Sequence, residues 1–342
     1  MPALQSQSYI FDARPHYPLL VSVKRYWVPS LESTDGDAVT LVLAHATSFH
    51  KELWEPFLED LYDQTTTSPR HNSPVPKIRD AWAIDCPNHG DSAVLNEKTL
   101  LSGYTPVFTW EEYAQATHLI LNGFGKGIDV DFKSRNLVGI GHSMGASAIV
   151  LAAAIHPFVS WSSVILLEPM FIGPSYFQSS GKFLEEGAVK RRDVWSSREE
   201  AHENFRERSF KSWDPRLIDL FVRYGLRELP TAIHPEKTQG VTLKCTKVQE
   251  SASYVENHGR MKSQRFLPTL CKEVPTHVIF GAIGDIVAVD NREYVQEVSG
   301  DGFKTTSIVE NAGHLALHHN PAGVAEAVWN ILRSAQAVPS KL

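Results

Sequence analysis

The apolar run Asn136 to Ile140 leads directly into Gly141-His142-Ser143-Met144-Gly145, and that pentapeptide leads directly into the small, apolar run Ala146 to Ile155. The order reads as a strand, a sharp turn and a helix. So tight a turn leaves no room for side chains at its two ends, which glycines at 141 and 145 satisfy. It also holds Ser143 in a strained conformation with its hydroxyl at the strand's tip.

The rest of the chain repeats the alternation. Tyr17 to Pro29 and Ala38 to Ala44 read as consecutive strands, separated by turn chemistry at Thr34-Asp35-Gly36-Asp37. Trp54, Phe57, Leu58 and Leu61 follow at helical spacing, and Gln64 to Pro76 has loop composition. Further strands are expected at Asp80 to Ile84, Ser163 to Leu167, Thr276 to Phe280 and Lys304 to Val309. Thr109 and Glu112 form a capping box ahead of one helix, and a closing helix runs from Asn320-Pro321 to about Arg333. Strands alternating with helices imply an α/β class with a mostly parallel central sheet flanked by helices, its reactive groups at the strands' carboxyl ends.

Between about Met170 and Arg265 helical segments occur without strands between them. Ser197 with Glu200 offers one helix start and Asp214-Pro215 another, the latter carrying Leu217, Ile218, Phe221 and Tyr224 on one face before Gly225. The expected organisation is a core of residues 1–169 and 266–342 with a helical cap inserted at 170–265. No internal repeat is visible.

With 342 residues, 42% of them hydrophobic, the chain can bury a sizeable core. A formal net charge of -6, with both signs mixed along the chain, argues against nucleic acid as a partner. Cys86, Cys245 and Cys271 are far apart and show no paired ligand spacing; H-E-x-x-H, C-x-x-C and an early glycine-rich phosphate loop are missing. Neither metal nor cofactor is expected, and a reducing compartment fits. Met1 to Tyr9 lacks the basic and apolar regions of a secretory signal, and Ala146 to Ile155 is too short to span a bilayer. Ser340-Lys341-Leu342 is the tripeptide read by the peroxisomal import receptor, which makes that receptor an expected partner and the peroxisome the expected location. A homodimer is one state open to the chain.

A serine hydroxyl needs a base to take its proton and donors to hold the oxyanion formed on attack. Ser143 is the candidate nucleophile. His314, in Asn311-Ala312-Gly313-His314 beyond the last strand, is the candidate base. Two carboxylates compete to orient it: Asp285, after the strand Thr276 to Phe280, and Glu168, at the end of the preceding strand. Spacing alone favours Asp285. The amides of Met144 and of Thr47, in His45-Ala46-Thr47, are the candidate oxyanion donors. His45 and His142 are expected to pack or hydrogen-bond, and tandem His318-His319 to start a helix at the surface. Phe171, Tyr176, Phe177, Trp195, Phe205, Phe210 and Trp213 are candidates to line an apolar acyl pocket. Lys190, Arg191 and Arg192 are candidates to meet phosphates or to form a solvated charge cluster.

At these residues the chain resembles the α/β-hydrolase superfamily, and more narrowly the fungal peroxisomal hydrolases, which include a peroxisomal lipase, toxin-biosynthesis hydrolases and a mycophenolic-acid-type acyl-CoA hydrolase. The likeness is carried by H-A-T-S-F-H-K-E-L-W-E-P from His45, D-C-P-N-H-G-D-S from Asp85, G-H-S-M-G, L-L-E-P from Leu166, and D-V-W-S-S-R-E-E and S-W-D-P-R in the cap. It implies the α/β-hydrolase fold and a serine hydrolase cleaving a hydrophobic acyl-CoA thioester or carboxylic ester through an acyl-enzyme, in fungal peroxisomal secondary metabolism. A lipase or esterase, a non-hydrolytic isomerase or cyclase on a polyketide intermediate, and a binding module with a vestigial site are the alternatives. The resemblance also implies Glu168 as the acid, although a glutamate there departs from the aspartate of the acyl-CoA hydrolase. Ala46 departs from the glycine of many relatives.

Overall fold

The computed structural model describes the backbone of residues 3–67 and 75–336, with side chains except at 66–67, 174–181 and 336. Among the described residues eight strands form one sheet in the order β1-β2-β4-β3-β5-β6-β10-β11. Their ranges are β1 Gln5–Phe11, β2 Val21–Trp27, β3 Val39–Ala44, β4 Ile78–Ile84, β5 Asn136–His142, β6 Trp161–Leu167, β10 Thr276–Gly281 and β11 Thr305–Val309. From β4 to β11 all neighbours are parallel, whereas β2 runs antiparallel to β1 and to β4.

Central strands are apolar almost throughout because both faces of the sheet are covered. In β3, Leu41 and Leu43 point into one core with the helices Glu55–Thr67 and Pro321–Gln336. Val42 and Ala44 point into the other, beneath Trp110–Asn122, Met144–Ala153 and His258–Glu273. The period-two alternation of a strand thus divides one run of residues between two cores.

Three features differ from the sequence reading. β1 was not expected, since its residues are exposed up to Ser8 and carry no buried pattern to read. The inserted segment is not purely helical: β7 Val194–Trp195, β8 Leu226–Glu228 and β9 Val241–Leu243 pair antiparallel in a small sheet. The expected boundary at 265/266 also falls inside one helix, His258–Glu273, which packs beside Met144–Ala153 in the core. Ser197 and Asp214 do cap helices, accepting from the amides of Glu200 at 3.2 Å and Arg216 at 2.9 Å. Thr109 stands at a helix start without a side-chain capping bond. Among the described residues no helix is long and apolar enough to cross a membrane.

Candidate active site

Ser143 sits between β5 and the helix Met144–Ala153 with φ 56° and ψ −115°, a conformation that side chains other than glycine rarely adopt. The turn is held closed around it. A Cβ on Gly145 would lie 2.1 Å from the carbonyl oxygen of Ala44, and one on Gly141 would lie 2.4 Å from that of Gly145. Both positions admit only glycine, so the helix can press against β3 and β5 while the serine amide donates to Leu167 O at 3.0 Å.

At the end of β6, Glu168 has a positive φ of 44°. Its own amide donates to Ile279 O at 2.9 Å, and its Oε1 accepts from the Gly281 amide at 2.6 Å. One carboxylate oxygen is thereby pinned to the end of β10. The other, Oε2, lies 3.2 Å from His314 Nδ1, and His314 Nε2 lies 3.0 Å from Ser143 Oγ. An ionised carboxylate can only accept, so Nδ1 carries the hydrogen and Nε2 is left to accept from the serine hydroxyl. Ser143, Glu168 and His314 are all buried.

Asp285 takes a different part. Its Oδ1 accepts from the His314 backbone amide at 2.8 Å and from the Ile286 amide at 2.6 Å, and its side chain does not reach the ring. Of the two competing carboxylates, the structure brings Glu168 to the imidazole and gives Asp285 to the loop that carries it.

The neighbouring histidines are fixed and neutral. His142 Nε2 donates to His314 O at 2.8 Å, and burial pushes its pKa down to about 3. His45 Nδ1 donates to Ala46 O at 2.8 Å, and its Nε2 accepts from the Cys86 amide at 3.0 Å. His318 is not at the surface as expected: it is buried, its ring centroid 4.1 Å from that of Phe49 and 4.4 Å from that of Trp213. The motifs around His45 and Asp85 meet in a buried ionic cluster. Lys51 Nζ lies 2.9 Å from both Glu52 and Asp85 and 2.8 Å from Asp91. Thr47 and Met144 also lie together, the Thr47 hydroxyl donating to Met144 Sδ at 3.4 Å.

A cavity of about 100 Å³ opens on Ser143 and His314, lined by Ala46, Thr47, Phe49, Trp110, Met170, Leu184, Tyr254, Ile286 and Leu315. Five of the aromatic residues expected to line it do other work. Trp195, Phe205, Phe210 and Trp213 pack on one another as the core of the inserted segment, with Phe210 and Trp213 stacked at 3.8 Å. Phe171 is buried in the main core. Tyr176 and Phe177 fall among side chains outside the described residues. Lys190 pairs with Glu186, Arg192 with Glu200 and Arg191 with Glu250, so the basic triplet is spent on intramolecular partners.

The family model described as "Alpha/beta hydrolase family" matches residues 41–327. The chain belongs to the alpha/beta hydrolase family. The resemblance seen in the motifs is thus borne out. This chain is 32% identical over 221 residues to the Type I acyl-CoA thioesterase mpaH of Penicillium brevicompactum, covering 64% of its own length and 47% of that protein's. It therefore spans about half the length of the curated relatives it matches. Among solved structures it resembles the peroxisomal alpha-beta-hydrolase Lpx1 of Saccharomyces cerevisiae, with TM-score 0.71, 18% identity, and coverage of 99% of this chain and 91% of that one. The thioesterase domain from the curacin biosynthetic pathway follows the same fold, with TM-score 0.64, 14% identity, and coverage of 95% and 99%.

Proposed function

We propose that this hydrolase cleaves a hydrophobic acyl thioester or carboxylic ester through an acyl-enzyme on Ser143. The observation that carries the reading is the unbroken chain Ser143 Oγ, His314 Nε2, His314 Nδ1, Glu168 Oε2 at the floor of an apolar cavity. As Ser143 Oγ attacks the carbonyl carbon, its proton passes to His314 Nε2. Glu168 stabilises the imidazolium and holds its tautomer without taking the proton. The oxyanion is met by the amides of Met144 and Thr47. The imidazolium then protonates the leaving thiolate or alkoxide, and a water activated by the same nitrogen releases the acid.

Similarity to an acyl-CoA thioesterase supports a thioester as the preferred substrate. The carboxy-terminal Ser340-Lys341-Leu342 supports peroxisomal import; it lies outside the described residues. A fluorophosphonate probe tests the chemistry. It is expected to label wild-type protein at Ser143 and to leave Ser143→Ala unlabelled, with acyl-CoA turned over faster than the matched p-nitrophenyl ester. No adduct on folded wild-type protein would remove the acyl-enzyme.

A further inference from the structure

Resting on the reading of Ser143 as nucleophile, we propose that Glu250 is a positioning residue for the oxyanion site. It acts through Ser48 on the backbone of Thr47, so that the segment inserted between β6 and β10 holds one half of that site in register.

Ser48 directly follows Thr47 and has φ 78°, in the left-handed region that disfavours a side chain. Such a residue stays there only where its surroundings over-determine it. Two sets of contacts do so, from opposite sides. On the core side, the Ser48 amide donates to His89 Nε2 at 3.0 Å. The His89 Nδ1 hydrogen goes to Asn88 Oδ1 at 2.6 Å, which leaves Nε2 bare to accept. On the other side, Ser48 Oγ donates to Glu250 Oε1 and accepts from the Tyr254 hydroxyl at 2.9 Å. The second oxygen of Glu250 lies 2.8 Å from the Arg191 guanidinium.

The order of donors follows from the carboxylate, which can only accept: Tyr254 to Ser48 and Ser48 to Glu250, whose second oxygen meets the Arg191 charge as an ion pair rather than as a hydrogen bond. Glu250 and Tyr254 stand one turn apart on the helix Lys247–Tyr254, and Arg191 directly follows the helix Pro174–Lys190. Both helices belong to the inserted segment, and they pack on each other. Tyr254 also lines the cavity above Ser143. Glu250 is only 3% exposed. A buried ion pair contributes little net stability over an apolar filling, but it fixes one geometry among several. Here the geometry fixed is that of the loop carrying the Thr47 amide, and an oxyanion donor is effective only within a few tenths of an ångström of its working distance.

The test uses the full chain, an ester substrate, and a trifluoromethyl ketone whose hemiketal adduct on Ser143 carries the oxyanion. Glu250→Leu and Ser48→Ala are each expected to lower kcat about 10- to 100-fold. KM should stay within about three-fold, and ketone affinity should weaken by the same factor as kcat. Glu250→Gln keeps an acceptor for Ser48 and is expected to recover most of the loss. Wild-type kcat and ketone affinity in Ser48→Ala, or a raised KM with both of those unchanged in Glu250→Leu, would overturn the proposal. Should Glu250→Leu fail to fold, the Ser48→Ala and Glu250→Gln measurements decide alone. Fluorophosphonate labelling of wild-type Ser143 is the separate control. If it fails, the nucleophile reading is lost; if it succeeds and the variants behave as wild type, only the role of Glu250 is lost.

Discussion

Glu168 and Asp285 both bind His314, but at different places: Glu168 Oε2 stands 3.2 Å from the ring nitrogen Nδ1, while Asp285 Oδ1 stands 2.8 Å from the backbone amide. Only the first contact can respond to charge on the imidazole. Glu168→Gln removes that response and is expected to lower kcat about 1,000- to 10,000-fold with the fold intact. Asp285→Asn keeps an oxygen for the amide, so a loss below about 10-fold is expected. Steady-state kinetics of the two variants, with circular dichroism to check folding, separates them. The reverse ranking would return the acid to position 285.

That division was only half legible in the sequence. The strands around Ser143 could be located because central strands such as Thr276 to Phe280 are apolar on both faces and end in recognisable turns. Spacing pointed to Asp285 and the resemblance to Glu168, and spacing could not decide between them, since each follows a strand and their placement in space depends on how β6 and β10 pair. β1 was missed because an exposed edge strand has no buried pattern. β7, β8 and β9 were missed because two or three residues show no periodicity. The abundance of aromatics in the inserted segment suggested a pocket, yet large rings satisfy one another first. Trp110, Tyr254 and Leu315, which do line the cavity, come from three separate parts of the chain with no shared signal.

Gly145 gives a test of the turn itself. Its absent Cβ would meet the backbone oxygen of Ala44 at 2.1 Å, and backbone in a paired strand cannot give way as a side chain can. Gly145→Ala is expected to destabilise the protein by about 3 kcal/mol through overpacking. Urea denaturation measures it; a wild-type midpoint would mean that the helix can shift away from β3 without cost.

The cavity and the aromatic cluster behind it should respond to substitution in opposite ways. Leu184 lines the cavity, so Leu184→Trp is expected to shorten the preferred acyl chain and to lower kcat/KM for longer ones about 10-fold or more. Trp195 is buried in the core of the inserted segment. Trp195→Ala is expected to cost about 3–5 kcal/mol of stability while leaving the preferred chain length in place. A chain-length series on both variants, with their melting temperatures, checks the contrast. A shift in preference caused by Trp195→Ala alone would put that tryptophan back in the pocket.

Acid should weaken the fold through its buried histidines. Burial pushes the pKa values of His45 and His142 down to about 3, and holds those of His89 and His318 well below the ordinary range. In the unfolded chain each titrates near ~6.5. Because the folded values are the lower ones, the unfolded state binds more protons in between. Stability is therefore complete above ~6.5 and falls as the pH drops below it, down to about 3 for His45 and His142, by about 1.4 kcal/mol per pH unit for each histidine. His318 isolates the effect, since among the described residues neither of its ring nitrogens has a hydrogen-bond partner and it packs between Phe49 and Trp213. His318→Phe should keep that packing and remove one titrating group. Urea midpoints between pH 7.5 and 5.5 are expected to fall less steeply in this variant than in the wild type. Equal slopes would mean that the His318 ring protonates as readily inside the protein as in water.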